Sequence, residues 1–407
     1  MAPRRVGLWL IGACGGVAST TALGLSALAR GQTPPTGLVT ALPQFAGHDF
    51  DAPDAFVVGG HDIRKGNFLT AARELHERSN VFDERTLAAC AGDLETWSAN
   101  LRPGVVYRPD AAITALADRP DTRRAGSARE AIDAIQSDLK AFKAAHRLDQ
   151  LVVVNAASTE PPFEPTDEQK SLERLLPALE RAAPASLPTS GVYAFAALDA
   201  GFPYVNMTPS RGATLPALEE LARKRGVPHA GQDLKTGETL LKSVLAPMFA
   251  RRNLRVLSWV GHNILGNRDG LVLNDPDNKS SKVTSKDRLL AELLGYRPQS
   301  HVSIEYIESL DDWKTAWDHI HFEGFLGTKM MMQFTWQGCD SLLAAPLVID
   351  LVRLTALAQR RGESGPMPHL ACFFKSPIGV SEHDFGKQFA LLEAYLANPA
   401  CKPGRAS

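Results

Sequence analysis

Short apolar runs and amphipathic, helix-periodic stretches alternate through the first two hundred residues of the chain. VGLWLI opens the pattern as a strand-like run, and the apolar stretch GVASTTALGLSALAR follows it as a helix. GLVTAL and DAFVVGGHDI read as further strands, and a long charged helical region runs from about Arg64 to Asn100. From Ala125 to Arg147, AGSAREAIDAIQSDLKAFKAAHR places its apolar residues at helical spacing. It leads into LDQLVVVNAAS, whose LVVV core suits a strand buried on both faces. A helix over Gln169–Ala183 comes next, then a strand and loop in AFAALDAGFPYVNMTPS. Alternating β and α with Gly-rich turns at strand ends predicts a doubly wound parallel sheet. Gly12–Ala18, Gly59–Asp62 and Asn155–Thr159 would then meet at the carboxyl ends of its strands, where dinucleotides bind.

The pattern changes from about Leu240. LRVLSWVGHN, SHVSIEYIES and KMMMQFTWQG lie closer together with period-two polarity in places, which predicts a second, more antiparallel sheet. The apolar helix SLLAAPLVIDLVRLTALAQRR and then HLACFFKSPIG return the chain to the first domain.

Composition narrows the partners. A net charge of -1 and 44% hydrophobic residues suit an ordinary core and give no cause to expect a polyanion; basic–aromatic interleaving for nucleic acid is absent. The five cysteines are scattered without a CxxC pair, which suits a reducing compartment. No later apolar run is read as long enough to span a bilayer, so the membrane question rests on the first thirty residues. There, Arg4, Arg5, an apolar core and Ala27-Leu28-Ala29 fit a cleavable signal, whereas Gly12, Gly15 and Gly16 fit a phosphate-cradling turn between strand and helix.

Several motifs carry candidate chemistry. The glycine turn Gly12-Ala-Cys-Gly15-Gly16-Val17-Ala18 is a loose GxxGxxA form of the dinucleotide fingerprint. Asp62 ends a strand where a ribose or amide would be met, and Asn155, Ala156, Ser158 and Thr159 follow the most apolar strand. As plain structure, the same residues read as a turn and a helix cap. GQDLKTGETLLKSVL has the residues of an anion-binding turn at a helix start, with Lys235 and Lys242 nearby. Lys282 and Lys286, four apart, are either a solvated helix face or cations for a phosphate and developing oxyanions. His319, His321 and Glu323 share one face of a strand, an awkward source of three metal ligands, and no metal site is expected.

From GQDLKTGETLLKSVL through GHNILGNRDG and SKVTSK the chain resembles the myo-inositol-1-phosphate synthase family, also called inositol-3-phosphate synthases. The likeness reaches back through FVVGGHDI, VVNAASTE and PYVNMTPS and forward through DDWKTAWD, GCDSLLAAPLVIDL and FFKSP, nearly the whole chain in order. The resemblance implies an α/β, Rossmann-like sheet with an inserted mixed α+β domain for catalysis and oligomerisation. The divisions expected are 1–239, 240–343 and 344–407. It also implies an NAD-dependent isomerase that converts glucose 6-phosphate to an inositol phosphate by oxidation at C5, enolisation, aldol closure and re-reduction.

Carried over residue by residue, the resemblance places Lys282, Lys286, Lys314, Lys375 and Asp233 in catalysis. It assigns Thr236, Gly237, Asn263, Asn267 and Asp269 to substrate. Gly12, Gly15, Gly16, Val17, Ala18, Asp62, Asn155, Ala156, Ser158, Thr159, Asp340 and Ser341 fall to the cofactor. Gln232 stands where many relatives have an acid, and Val17 and Ala18 stand where relatives often carry asparagines. By the same resemblance, the chain is expected to start at the first strand, without the extension of longer members. A homotetramer in the cytoplasm is expected, with a divalent or monovalent cation left open. Loss of the first strand and its turn would dismantle the dinucleotide site, so the opening stretch is expected to be fold rather than signal. A relative cyclising another sugar phosphate and a non-catalytic NAD-binding homologue are the alternatives.

Overall fold

The computed structural model describes residues 4–108, 111–267, 270 and 289–398. Among these, the strands in chain order are β1 (Val6–Ile11), β2 (Phe56–Asp62), β3 (Leu101–Pro103), β4 (Val105–Val106), β5 (Arg123–Arg124) and β6 (Gln150–Asn155). There follow β7 (Tyr204–Asn206), β8 (Pro228–Ala230), β9 (Arg255–Leu265), β10 (Gln299–Tyr306), β11 (Trp313–Glu323), β12 (Lys329–Cys339) and β13 (Gly365–Pro366).

Seven strands form one sheet in the order β13-β8-β7-β6-β1-β2-β3, each pair parallel. The order reverses at β1, because β2 and β3 extend to one side and the later strands to the other. Such a switch point leaves a crevice at the strand ends. Val6, Leu8 and Leu10 of β1 join the core on one face, and Trp9 and Ile11 join the core on the other. Val152 and Val154 of β6 divide from Leu151 and Val153 in the same way, which is why LVVV is apolar without interruption. The expected Rossmann-like sheet is present.

A second sheet has the order β10-β9-β11-β12, with β10 and β9 parallel and the other pairs antiparallel. Its inner face packs Trp259 and Ile320 against Ala246 and Phe249 of helix Glu238–Arg251. The mixed sheet is therefore also as expected.

Local readings differ at five places, the first being the stretch read as one helix over Gln169–Ala183, which divides into a 3-10 turn, Asp167–Lys170, and a short helix, Leu172–Ala178. GLVTAL forms no strand; it holds a short 3-10 turn, Val39–Ala41, because its polar anchor is a side chain rather than a ladder. The charged region divides into helices Phe68–Ser79 and Glu84–Ser98, with Asn80 (φ 50°) and Phe82 (φ 44°) turning the chain between them. AFAALD belongs to the buried helix Thr189–Asp199, and the strand begins only at Tyr204. Last, helix Asp340–Arg360 is long and apolar enough to cross a bilayer, although no later run was expected to be. It is instead a core helix: 72% of its apolar window is buried, against the sheet and helix Gly16–Ala29.

Asp350 is fully buried in that core helix and accepts hydrogen bonds from Val39 N (2.6 Å), Thr40 N (3.0 Å) and Thr40 Oγ1 (2.6 Å). Burial pushes its carboxyl up to about 6, above the unfolded value of about 3.9. Its titration therefore favours the fold fully below about pH 4, and that contribution is lost as pH rises through about 6. Relative to Asp350→Asn, the wild type should lose about 2–3 kcal/mol between pH 4 and pH 7, read from denaturant melts at each pH.

Candidate active site

One cavity of about 600 Å³ opens at the switch point, between the carboxyl ends of β1, β2 and β6 and the second sheet. Its size suits a substantial ligand.

The glycine turn forms its floor. Gly12 follows β1 with φ +82°, and a Cβ there would stand 2.9 Å from Ala157 Cα and 3.1 Å from Ala156 O. Only glycine fits, because both the dihedral and the neighbouring backbone exclude a side chain. Helix Gly16–Ala29 starts directly above the cavity floor, and its N-cap, Gly15, supplies no side-chain hydrogen bond. The backbone N–H groups of that first turn suit an anion such as a pyrophosphate. Gly12, Gly15, Gly16 and Val17 line the cavity with Asn155, Ala156, Ser158 and Thr159. Ala18 does not; it points into the core and is fully buried.

Asp62 braces the turn from β2. Its Oδ2 accepts from Cys14 N at 2.6 Å and its Oδ1 from Arg64 N at 2.7 Å. Beside it, Trp9 Nε1 donates to His61 Nδ1 at 3.1 Å, and His61 Nε2 lies 2.9 Å from Asp138 Oδ2. Since the indole can only donate, Nδ1 is the acceptor and the Nε2 proton faces Asp138. Burial lowers the pKa of His61, consistent with a neutral ring in that place.

The opposite wall carries charge. Residues 231–235 run beside 373–378, with hydrogen bonds from Lys375 N to Asp233 O (2.7 Å), Gln232 N to Ser376 O (3.0 Å) and Lys235 N to Phe373 O (2.8 Å). This ladder sets Asp233, at φ 62°, facing Lys375, and Lys375 Nζ donates to Asp233 Oδ1 at 2.7 Å. Aspartate tolerates that left-handed backbone better than most residues. From β11, Lys314 Nζ approaches Asp340 Oδ2 at 3.7 Å. Thr236, Asn267, Asp340 and Ser341 also line the cavity.

Other residues singled out in the sequence stand elsewhere. Gly237 is outside the lining, although a Cβ on it would lie 3.9 Å from Lys314 Nζ. Asn263 is buried in β9 and donates through Nδ2 to Glu238 Oε2 at 2.6 Å. Lys235 and Lys242 do not serve the anion turn as read from sequence. Lys235 is buried, donates to Gln388 Oε1 at 2.5 Å, and is lowered to about 8 mainly by burial. Lys242 is fully buried in an ion pair with Glu238 beneath the second sheet. Lys282, Lys286 and Asp269 lie outside the described residues. Among the described residues, no group of three or more His, Cys, Asp or Glu is placed to hold a metal ion.

Asp312 was not singled out, although it lies in DDWKTAWD two residues before Lys314. It lines the cavity, accepts from Ser341 N and Ser341 Oγ at 2.9 Å each, and thereby caps helix Asp340–Arg360. Burial raises its carboxyl pKa. No local spacing marks that role, because its partners come from a different strand end.

Comparison with known proteins agrees with this architecture. The family model described as myo-inositol-1-phosphate synthase matches residues 6–397. Inositol-3-phosphate synthase 1 of Bacteroides thetaiotaomicron is 32% identical over 97% of this chain and 95% of its own length. The inositol-3-phosphate synthase of Spirodela polyrhiza is 31% identical over 76% of the chain, which spans 61% of that longer relative. In structure, the chain resembles an inositol-3-phosphate synthase from Caenorhabditis elegans with a TM-score of 0.85 at 25% identity, over 98% of this chain and 86% of that one. Matched by its family model over nearly its whole length, the chain belongs to the myo-inositol-1-phosphate synthase family.

Proposed function

We propose that the chain is an NAD-dependent isomerase that converts D-glucose 6-phosphate to 1D-myo-inositol 3-phosphate. The observation that carries this reading is one cavity walled on one side by the glycine turn and on the other by the Asp233–Lys375 pair. Gly12, Gly15 and Gly16 fit a dinucleotide, since they allow close backbone approach and leave a helix N-terminus for its phosphates. NAD, when bound, supplies the reversible oxidation of the sugar at C5.

The residues of the chain do the rest. A ketone at C5 acidifies the C6 protons, and loss of one gives an enolate. The enolate carbon closes the ring on the C1 aldehyde, and the new C1 oxyanion takes up a proton. Both oxygens gain negative charge during these steps, so cations placed beside them lower the barrier. Lys375 serves a reacting oxygen, held in place by Asp233. Lys314 serves phosphate and sugar hydroxyls beside Asp340. By resemblance, Lys282 joins Lys375 and Lys286 joins Lys314. Thr236 and Asn267 lie on the cavity wall to position the sugar. C5 is finally re-reduced, so no net NADH accumulates.

Incubating purified protein with glucose 6-phosphate and NAD⁺ and following carbon NMR tests this directly. A cyclitol phosphate without net NADH supports the reading. Net NADH, or no reaction with NAD still bound, favours another substrate or a non-catalytic relative.

The reading includes the division of the chain at 239/240 and 343/344, a cytoplasmic location and a homotetramer. Cys14, Cys90, Cys339 and Cys372 are free thiols, which suits a reducing compartment. The outer face of the second sheet supports self-association: Trp317 stacks on His262 at 5.7 Å and is 38% exposed, and Met331 is 66% exposed. The double variant Trp317→Glu, Met331→Glu should sediment as a smaller species than wild type in analytical ultracentrifugation. An unchanged sedimentation coefficient would move the interface elsewhere.

A further inference from the structure

The end of β2 places a guanidinium, that of Arg64, on the cavity wall beside the glycine turn. In this fold class the adenosine ribose lies there, an acid meets its 2′-hydroxyl, and a nearby arginine accommodates a 2′-phosphate. Here the acid is Asp62, 5% exposed and drawn inward by two backbone N–H groups, those of Cys14 and Arg64. Each oxygen has already accepted one hydrogen bond from the turn it braces. Two residues later, Arg64 lines the cavity, with Nη1 donating to Cys14 O at 3.3 Å. That contact holds the guanidinium at the rim of the glycine turn, and the residue lines the cavity. Lys65 follows, its backbone N held by Asp118 Oδ1 at 2.6 Å. The backbone N of Arg119 donates to Ile63 O at 3.1 Å, but its guanidinium is taken by Asp121, Nε to Oδ1 at 2.7 Å, and so stands outside the cavity lining. The Cys14 thiol registers the crowding. Burial and the Asp62 charge push it up to about 12, and the charges of Arg64 and Arg119 pull in the opposite sense.

We infer that Arg64, with Lys65 next to it in the chain, forms a 2′-phosphate subsite, so that the chain binds NADP⁺ as well as NAD⁺. The inference rests on the dinucleotide reading above and concerns its adenosine end only. The buried Asp62 charge opposes a phosphate, but each of its oxygens is engaged by a backbone N–H of the turn, and Arg64 stands two residues on at the cavity wall. A guanidinium is well suited to the task, since its planar fork matches phosphate oxygens.

Titration calorimetry of the wild-type protein with NAD⁺ and with NADP⁺ tests this without any turnover. NADP⁺ should bind within about tenfold of NAD⁺. Arg64→Ala should weaken NADP⁺ by about 10- to 100-fold, the worth of a charge-assisted phosphate contact, with a much smaller effect on NAD⁺. Arg64→Gln, which keeps more of the side chain's packing, should show the same selective loss if the alanine variant folds poorly. NAD⁺ binding with NADP⁺ more than about 100-fold weaker in wild type overturns the inference and spares the dinucleotide reading. Equal losses for both nucleotides in the Arg64 variants also overturn it. Binding of neither nucleotide removes the dinucleotide reading and the subsite together.

Discussion

Lys375→Ala should abolish cyclitol phosphate formation while NAD⁺ binding stays near that of wild type. The ammonium is fixed twice, by its backbone hydrogen bond to Asp233 O and by its side-chain bond to Asp233 Oδ1. An alanine keeps the first and deletes the second, so the ladder between 231–235 and 373–378 survives. Removal of one positioned charge or proton donor costs about 10²–10⁴-fold in rate. Methylamine added to the variant should restore part of the activity if the missing ammonium is the cause. Product formation by NMR and nucleotide affinity by calorimetry separate chemistry from binding. Wild-type turnover in the variant would remove Lys375 from the mechanism.

The second large effect concerns the cofactor side. Gly12→Val should reduce dinucleotide affinity by at least about 100-fold and lower the midpoint of thermal unfolding. At φ +82° a β-branched residue is strongly disfavoured, and its Cβ would meet backbone atoms of Ala156 and Ala157 that cannot rotate away. Overpacking of that kind costs about 1–3 kcal/mol, added to about 1–2 kcal/mol for the left-handed backbone. Relief by moving 156–157 would displace two segments of the dinucleotide wall at once. Gly16→Ala is a contrasting case. Its Cβ would come within 2.4 Å of Ser341 Oγ, a side-chain atom able to swing aside at the expense of its bond to Asp312. A milder loss is therefore expected there, measured by the same titration.

Much of the fold was legible because burial on both faces leaves a plain mark. β1 and the LVVV core of β6 are uninterrupted runs without a polar side chain, and the glycine turn between β1 and its helix needed no tertiary information. GLVTAL misled because an apolar run of that length suits a strand or a packed loop equally, and Asp350, some three hundred residues away, decides between them. The helix Thr189–Asp199 misled for a related reason: it is buried all round and so shows no polar stripe. At the site, residues carried by backbone geometry, such as Gly12, could be found from spacing. The lysines were less uniform. Lys375 and Lys314 reach the cavity, whereas Lys235 and Lys242, equally prominent in sequence, are consumed by internal partners. Asp312 escaped notice because its function is to hold a helix end formed by residues that meet it only after folding.

The placement of β1 at the centre of its sheet has a consequence for biosynthesis. Its neighbours are β2, which emerges early, and β6, which begins only at Gln150. At ordinary rates of about 5–20 residues per second, VGLWLI waits roughly seven to thirty seconds on the ribosome with one edge unpaired. The helix Asp340–Arg360 that covers the same region is synthesised later still. A nascent chain of this design therefore carries an apolar first segment with one unpaired edge through much of its translation, an exposure set by strand order rather than by final stability.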